Sequence, residues 1–199
     1  MNIEFETDHF LAAVTIVIVT LEGTEYLMFQ KRSDTINQPG DISFPGGHFE
    51  KSDGTLRETA LREFQEEIGN FELEVIAPLK WHVTLIGAII EPWVVRLTLS
   101  KESDLTFSTQ EVSKLILAPL DELLEKGLSK YEFEFEVKNI ATSEVNSDKI
   151  IQTIHKMRNR AWNHSGYAYE LPSGDVVWGV TGEILKTFLD ETERRRNKW

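Results

Sequence analysis

Apolar positions along this chain follow two different periods. Residues 10 to 21 form the longest apolar run, rich in Val and Ile and broken by two threonines, which reads as a buried strand. Glu22-Gly23-Thr24 then marks a tight turn, and Glu25 to Gln30 a second strand. From Thr55 to Ile68 the period changes: Leu56, Ala60, Leu61, Phe64 and Ile68 recur at helical spacing, and Gly69 ends the helix. Phe71 to Leu79 and Ile89 to Leu99 read as strands. Tyr131 to Val137 alternates Tyr, Phe, Phe and Val with three glutamates, the pattern of a strand with one wet face.

The intervening segments are less regular. Residues 33 to 47 carry Asn37-Gln38-Pro39-Gly40 and Pro45-Gly46-Gly47, which predicts a loop. Pro119 to Lys126 reads as a short helix and Thr142 to Asn163 as helical in part. A hairpin is expected over residues 167 to 178 around Pro172-Ser173-Gly174, with Trp178-Gly179 entering a last helix, Val180 to Arg194, and a charged tail after it. No internal repeat or low-complexity linker interrupts the chain. Strands outnumber helices and alternate with them irregularly, which predicts an α+β (mixed α/β) sandwich in one domain over residues 1–199.

Composition narrows the function. At 41% apolar and 27% charged residues the chain is ordinarily globular, and a chain of this length buries roughly 70% of its unfolded surface without staples. The absence of cysteine excludes disulfides, thiolate zinc sites and cysteine nucleophiles. A net charge of -12 argues against nucleic-acid binding, which depends on Lys and Arg neutralising phosphates. An acidic protein acting on a polyanionic small molecule must recruit cations locally, as metal ions or a few placed Arg and Lys. The longest apolar run is too short for a membrane span, and Glu4, Glu6 and Asp8 before it have the wrong charge for a signal peptide. The expectation is a cytoplasmic protein with no membrane or nucleic-acid partner.

The chemistry concentrates between Phe44 and Gly69. Glu63, Glu66 and Glu67 stand at i, i+3 and i+4, so their carboxylates leave one side of the predicted helix. The plain reading of such a triplet, in a chain with 33 acidic residues, is a solvated face. A Pro-Gly-Gly turn just upstream changes that, because glycines let the backbone approach a metal or phosphate closely. Crowded carboxylates suit hard divalent cations such as Mg2+, which take one or two carboxylates plus substrate phosphates.

Arg62-Glu63-Phe64-Gln65-Glu66-Glu67-Ile68-Gly69 resembles the signature of the Nudix (MutT-like) hydrolases: Gly, five residues, Glu, seven residues, then Arg-Glu-apolar-x-Glu-Glu-x-Gly-apolar. The upstream half departs from it. Gly54 stands where the family has Glu, Asp53 lies one residue earlier, and Gly47 is one residue further from Arg62 than the pattern places it. A one-residue insertion in the loop reconciles both shifts. Within the family the chain is most similar to the coenzyme A pyrophosphatases, through Lys31-Arg32-Ser33, Gly40-Asp41-Ile42-Ser43 and Phe44-Pro45-Gly46-Gly47. Thr59-Ala60-Leu61, Glu111-Val112, Pro119-Leu120 and residues 177 to 182 add to this. Ile36 stands where that subgroup has Arg, and Ile89 to Trp93 also differ from it.

The resemblance implies a mixed sheet between helices and hydrolysis of the phosphoanhydride in a nucleoside diphosphate linked to another moiety. Coenzyme A is the first such substrate; ADP-ribose or NADH, or a non-catalytic ligand-binding module on the same fold, are the alternatives. It implies Mg2+ or Mn2+ on Glu63 and Glu67, with Glu66 a ligand or an aid to the attacking water and the Gly46 and Gly47 backbone completing the coordination. Arg62 would orient the carboxylates and Glu111 would be a loop glutamate near the water or a further metal. Arg32, with Gly46 and Gly47, would meet substrate phosphate. His48, Trp81-His82 and Trp162-Asn163-His164 are weaker substrate contacts, each more simply read as loop or packing residues. A homodimer stays open.

Overall fold

The two faces of one long central strand set the architecture. The computed structural model describes residues 9–84, 87–136, 148–156 and 161–196. In chain order it forms β1 (Phe10–Leu21), β2 (Thr24–Arg32), β3 (Ile42–Ser43), β4 (Gly46–His48), α1 (Leu56–Glu67), β5 (Glu74–Pro78), β6 (His82–Val83) and β7 (Ala88–Leu99). Next come β8 (Val112–Pro119), α2 (Leu120–Lys126), β9 (Ser129–Glu136), α3 (Asp148–His155), β10 (Ala161–Glu170), β11 (Val176–Val177) and α4 (Gly179–Arg196). By compactness the chain divides into two units, residues 1–129 with 167–199 and residues 130–166.

In the first unit β1 pairs antiparallel with β2 and β4 along one edge and parallel with β7 along the other. β8 pairs with β2, while β5 and β6 pair with β7, so the sheet is mixed. Ala12, Ile16 and Ile18 of β1 turn to one face and pack with Leu120 and Leu123 of α2 and Ile184, Leu185 and Phe188 of α4. Val17 and Val19 turn to the other face, against Phe64 and Ile68, and Ala13 meets Leu56 and Ala60. The sheet therefore lies between α1 and the pair α2 and α4, as the resemblance implied.

Within the second unit Phe133 meets Phe135 edge-on at 4.7 Å and His164 at 5.2 Å. Gly166 lies where a Cβ would strike the Tyr131 ring. No helix among the described residues is long and apolar enough to cross a membrane.

Several expectations shift in detail. The loop expected over residues 33 to 47 contains two short strands, β3 and β4, because residues 42 and 43 pair with β2 and residues 46 to 48 with β1. β8 had no counterpart in the periodicity: Ser113 and Lys114 are exposed, and the strand exists through its pairing with β2. Residues 161 to 163, expected within a helical segment, open β10, and residues 142 to 147 and 157 to 160 of that segment lie outside the described residues. The last hairpin is present, with Tyr169 opposite Val177 and Glu170 opposite Val176.

Candidate active site

Helix α1 carries the carboxylates, and its start is fixed locally. Thr55 is extended at the N-cap, with Oγ1 accepting from the Glu58 N–H at 3.2 Å and donating to Glu58 Oε2 at 3.0 Å. At the other end Gly69 has φ +126°, which an L side chain rarely adopts. Leu56, Ala60 and Phe64 bury one stripe of the helix on the sheet. Glu63 and Glu67 leave the edge of that stripe, where β4 crosses beneath them.

β4 is shaped to let them in. The Thr15 N–H reaches the Pro45 carbonyl at 2.7 Å, and Val14 and Ala13 pair with Gly46 and Gly47. At Gly46 φ is +153° and a Cβ would run into the Ala13 carbonyl and Val14. At Gly47 a Cβ would lie 2.5 Å from Glu63 Cδ and Oε1, in the space the carboxylate occupies.

Glu67 is only 3% exposed. Its Oε1 accepts from Gln30 Nε2 at 2.9 Å and its Oε2 from the Gly46 N–H at 2.8 Å. Burial pushes its carboxyl up to about 7, against the two hydrogen bonds that favour the anion and with help from Glu63 and Glu111. Burial also raises Glu63, opposed by the neighbouring Arg62 and reinforced by Glu66 and Glu111. Glu111 precedes β8; its backbone is anchored by Ser33 N–H at 2.9 Å and Ser108 O at 3.2 Å, and its charge reaches both carboxylates. Glu66 differs from its neighbours: its side chain is 55% exposed, and it meets Arg62 Nη1 at 3.0 Å.

Arg62 ties the helix to the loop. Its Nε and Nη2 grip the two oxygens of Asp53 at 2.7 and 3.0 Å, a bidentate pair. Nη1 donates to Glu63 Oε1 at 2.9 Å and Nη2 to the His48 carbonyl at 3.0 Å. Asp53 is 5% exposed and also accepts from the Glu50 N–H and the Thr59 hydroxyl. The Arg62 guanidinium is the largest cause holding its carboxyl down at about 2.

The remaining expected residues fall outside this cluster. Arg32 Nε donates to the Asn37 carbonyl at 2.8 Å, within a loop closed by Arg32 N–H to Asp41 O at 2.9 Å. His48 lies against Phe10, ring centroids 4.6 Å apart. Trp81 and Trp93 both donate to Glu91, each at 2.9 Å. Burial lowers the His82 pKa, so that imidazole favours its neutral form. The Trp162 side chain lies outside the described residues.

The donor set fits a hard divalent cation in kind, since Glu63 and Glu67 are oxygen donors packed against the Gly-Gly backbone and Glu111 adds a third charge nearby. It is not a closed cage. Among the described residues no group of three or more His, Asp or Glu gathers as a ready-made metal site, because Arg62 and the Gln30 and Gly46 donors hold the carboxylates in their present orientations. That suits an ion that keeps several waters and shares its remaining positions with a phosphate.

A family profile described as NUDIX domain matches residues 9–136, which hold every residue of the cluster. The chain belongs to the Nudix hydrolase family. Nudix hydrolase 3 of Caenorhabditis elegans is 31% identical over 190 residues, covering 89% of this chain and 71% of that protein. The peroxisomal coenzyme A diphosphatase NUDT7 of Mus musculus is 35% identical over 119 residues, covering 56% of this chain and 48% of that one. The C. elegans peroxisomal coenzyme A diphosphatase ndx-8 is 34% identical over 120 residues, covering 57% and 50%. The chain thus spans about half the length of both named diphosphatases.

The departure in the Nudix signature has a structural answer. Asp53, not a residue at position 54, reaches Arg62, and Gly54 beside it has φ +29°. One residue escaped the sequence reading altogether. Gln30 sits in a strand with nothing local to mark it, and its contact to Glu67 spans 37 positions of sequence.

Proposed function

We propose that this chain is a divalent-metal-dependent pyrophosphohydrolase, cleaving the phosphoanhydride of a nucleoside diphosphate linked to another moiety, with coenzyme A or a derivative first in line. The observation that carries this reading is the pair Glu63 and Glu67, the first half-buried and the second buried, at the edge of α1 against the Gly46-Gly47 backbone. Holding a buried carboxylate beside a half-buried one is costly without a cation to offset them. A bound Mg2+ or Mn2+ would supply charge for the phosphate oxygens and a lowered pKa for an attacking water.

The chain's own residues divide the remaining work. Glu67 and Glu63 are the metal ligands in this reading, with the Gly47 backbone beside them. Arg62, locked by Asp53, fixes the direction of Glu63 and Glu66. Glu66, the most exposed of the three, and Glu111, on the facing loop, are the carboxylates available to take a proton from water. Gly46 and Gly47 let the β4 backbone lie directly against the carboxylates, and Arg32 stands at the end of β2 for a substrate phosphate.

Coenzyme A leads because relatives such as NUDT7 and ndx-8 are coenzyme A diphosphatases by name and the matching sequence blocks extend well beyond the helix. ADP-ribose or NADH is the second reading, favoured by Ile36, which leaves the 33–41 loop without the subgroup's arginine. Turnover of the three substrates with Mg2+ or Mn2+, beside Glu67→Gln, tests both. Coenzyme A cleavage that drops by about a hundredfold or more in the variant is expected. Cleavage of only the other two would transfer the assignment to them, and variant turnover equal to wild type would remove the metal role of Glu67.

A further inference from the structure

The sheet face beneath α1 holds two buried oxygens that no group among the described residues answers. Gln30 of β2 is 1% exposed, and its Nε2 donates to Glu67 Oε1 at 2.9 Å. A carboxylate only accepts, so the amide must turn its NH2 toward Glu67 and its carbonyl oxygen away. That oxygen, Gln30 Oε1, is buried without a hydrogen-bond partner. Directly across the antiparallel β2–β3 pair stands Ser43, whose Oγ is also buried without a partner. Residues opposed in this way share a face, their Cβ atoms about 5 Å apart. The third such side-chain atom among the described residues, His82 Nε2, lies on β6 at the far edge of the sheet.

Buried polar atoms without partners are uncommon and each asks for an explanation. An amide oxygen accepts only, and a serine hydroxyl accepts as readily as it donates. Both are therefore matched by a hydrogen donor arriving from outside the protein. The carboxylate site just beside them supplies one, because Mg2+ and Mn2+ bind through few protein oxygens and retain water molecules. Outer-shell groups of this kind orient ligands and set metal affinity, and their loss typically weakens binding by about 10–100-fold.

We propose that Gln30 and Ser43 are positioning residues of the cation site: the Gln30 NH2 fixes the Glu67 carboxylate, and Gln30 Oε1 with Ser43 Oγ accepts from the hydration shell of the bound cation. The inference rests on the reading of Glu67 as a metal ligand. It reaches beyond the signature helix to two strands, one of which sits in what the sequence presents as a loop.

Mn2+ affinity of the full chain, measured by titration calorimetry and by electron paramagnetic resonance of unbound Mn2+, tests it without any substrate. Wild type, Gln30→Met, Ser43→Ala and Glu67→Gln would be compared, with melting in EDTA recorded for each. The expected result is binding about 10–100-fold weaker in Gln30→Met and several-fold weaker in Ser43→Ala, with the Ser43→Ala melting midpoint in EDTA unchanged. Wild-type affinity in both variants would overturn the proposal, and so would a Ser43→Ala loss that tracks a fall in its EDTA midpoint, since that marks a purely structural role. Equal Mn2+ binding by wild type and Glu67→Gln would instead overturn the metal assignment of Glu67 itself. Should Gln30→Met not fold, Ser43→Ala decides alone.

Discussion

A carboxylate buried as deeply as Glu67 weakens the metal-free protein whenever it is ionised. Its folded-state pKa of about 7 lies above the ordinary value of 4.5, so the folded state holds the proton more tightly than the unfolded chain. The stability linked to that proton is complete below pH 4.5 and is lost as pH rises through about 7. The difference corresponds to about 3 kcal/mol at alkaline pH. Glu67→Gln removes the titration, and its amide can still accept from Gly46 while a flipped Gln30 accepts from its NH2. In EDTA at about pH 8 the variant is therefore expected to melt above wild type, with the gap closing toward pH 5. A wild type equally stable at both pH values in thermal melts would contradict the raised pKa. The helical spacing of Glu63, Glu66 and Glu67 put them on one side of α1, and the family resemblance singled them out. Their ranking, with Glu67 buried and Glu66 exposed, was not legible there, because it depends on β2 and β4 lying beneath one end of the stripe.

At the scale of elements, the pairing of β4 with β1 is what brings backbone to the carboxylates, and the two glycines serve it differently. A Cβ at Gly46 collides with the backbone of β1 at an unfavourable φ, so Gly46→Ala is expected to destabilise the fold strongly. A Cβ at Gly47 collides with the Glu63 carboxylate, the far end of a side chain that can swing aside. Gly47→Ala should therefore keep a melting midpoint close to wild type in EDTA and lose most of its Mn2+ affinity. Paired melting and calorimetric titration of the two variants checks this, and equal loss of stability in both would refute it. The Pro-Gly-Gly string announced a close approach of backbone to something. It did not reveal a strand, since three residues carry too little pattern to be seen without the partner that pairs with them.

For the whole molecule, a cation that binds the folded state alone must raise its stability by mass action. At a hundredfold excess of Mn2+ over its Kd the gain is about 2.7 kcal/mol, read as a higher melting midpoint in wild type. That gain is expected to vanish in a Glu63→Gln, Glu67→Gln double variant. A shift of the same size in the double variant would place the ion elsewhere. The mixed sheet between helices was implied by the family resemblance, whereas the span of α1 and the one-sided carboxylate triplet beside Arg62 were legible in the local pattern. The reason is that helical and strand periods, caps and turn residues act over a few neighbouring positions. Three things were decided only by tertiary structure: Asp53 as the partner of Arg62, the pairing of β8 with β2, and the seating of Gln30 against Glu67 with Ser43 opposite it. Each depends on which strand lies beside which, and on the burial that results. Burial, hydrogen-bond partners and pKa belong to the assembled sheet, where residues tens of positions apart in sequence become neighbours.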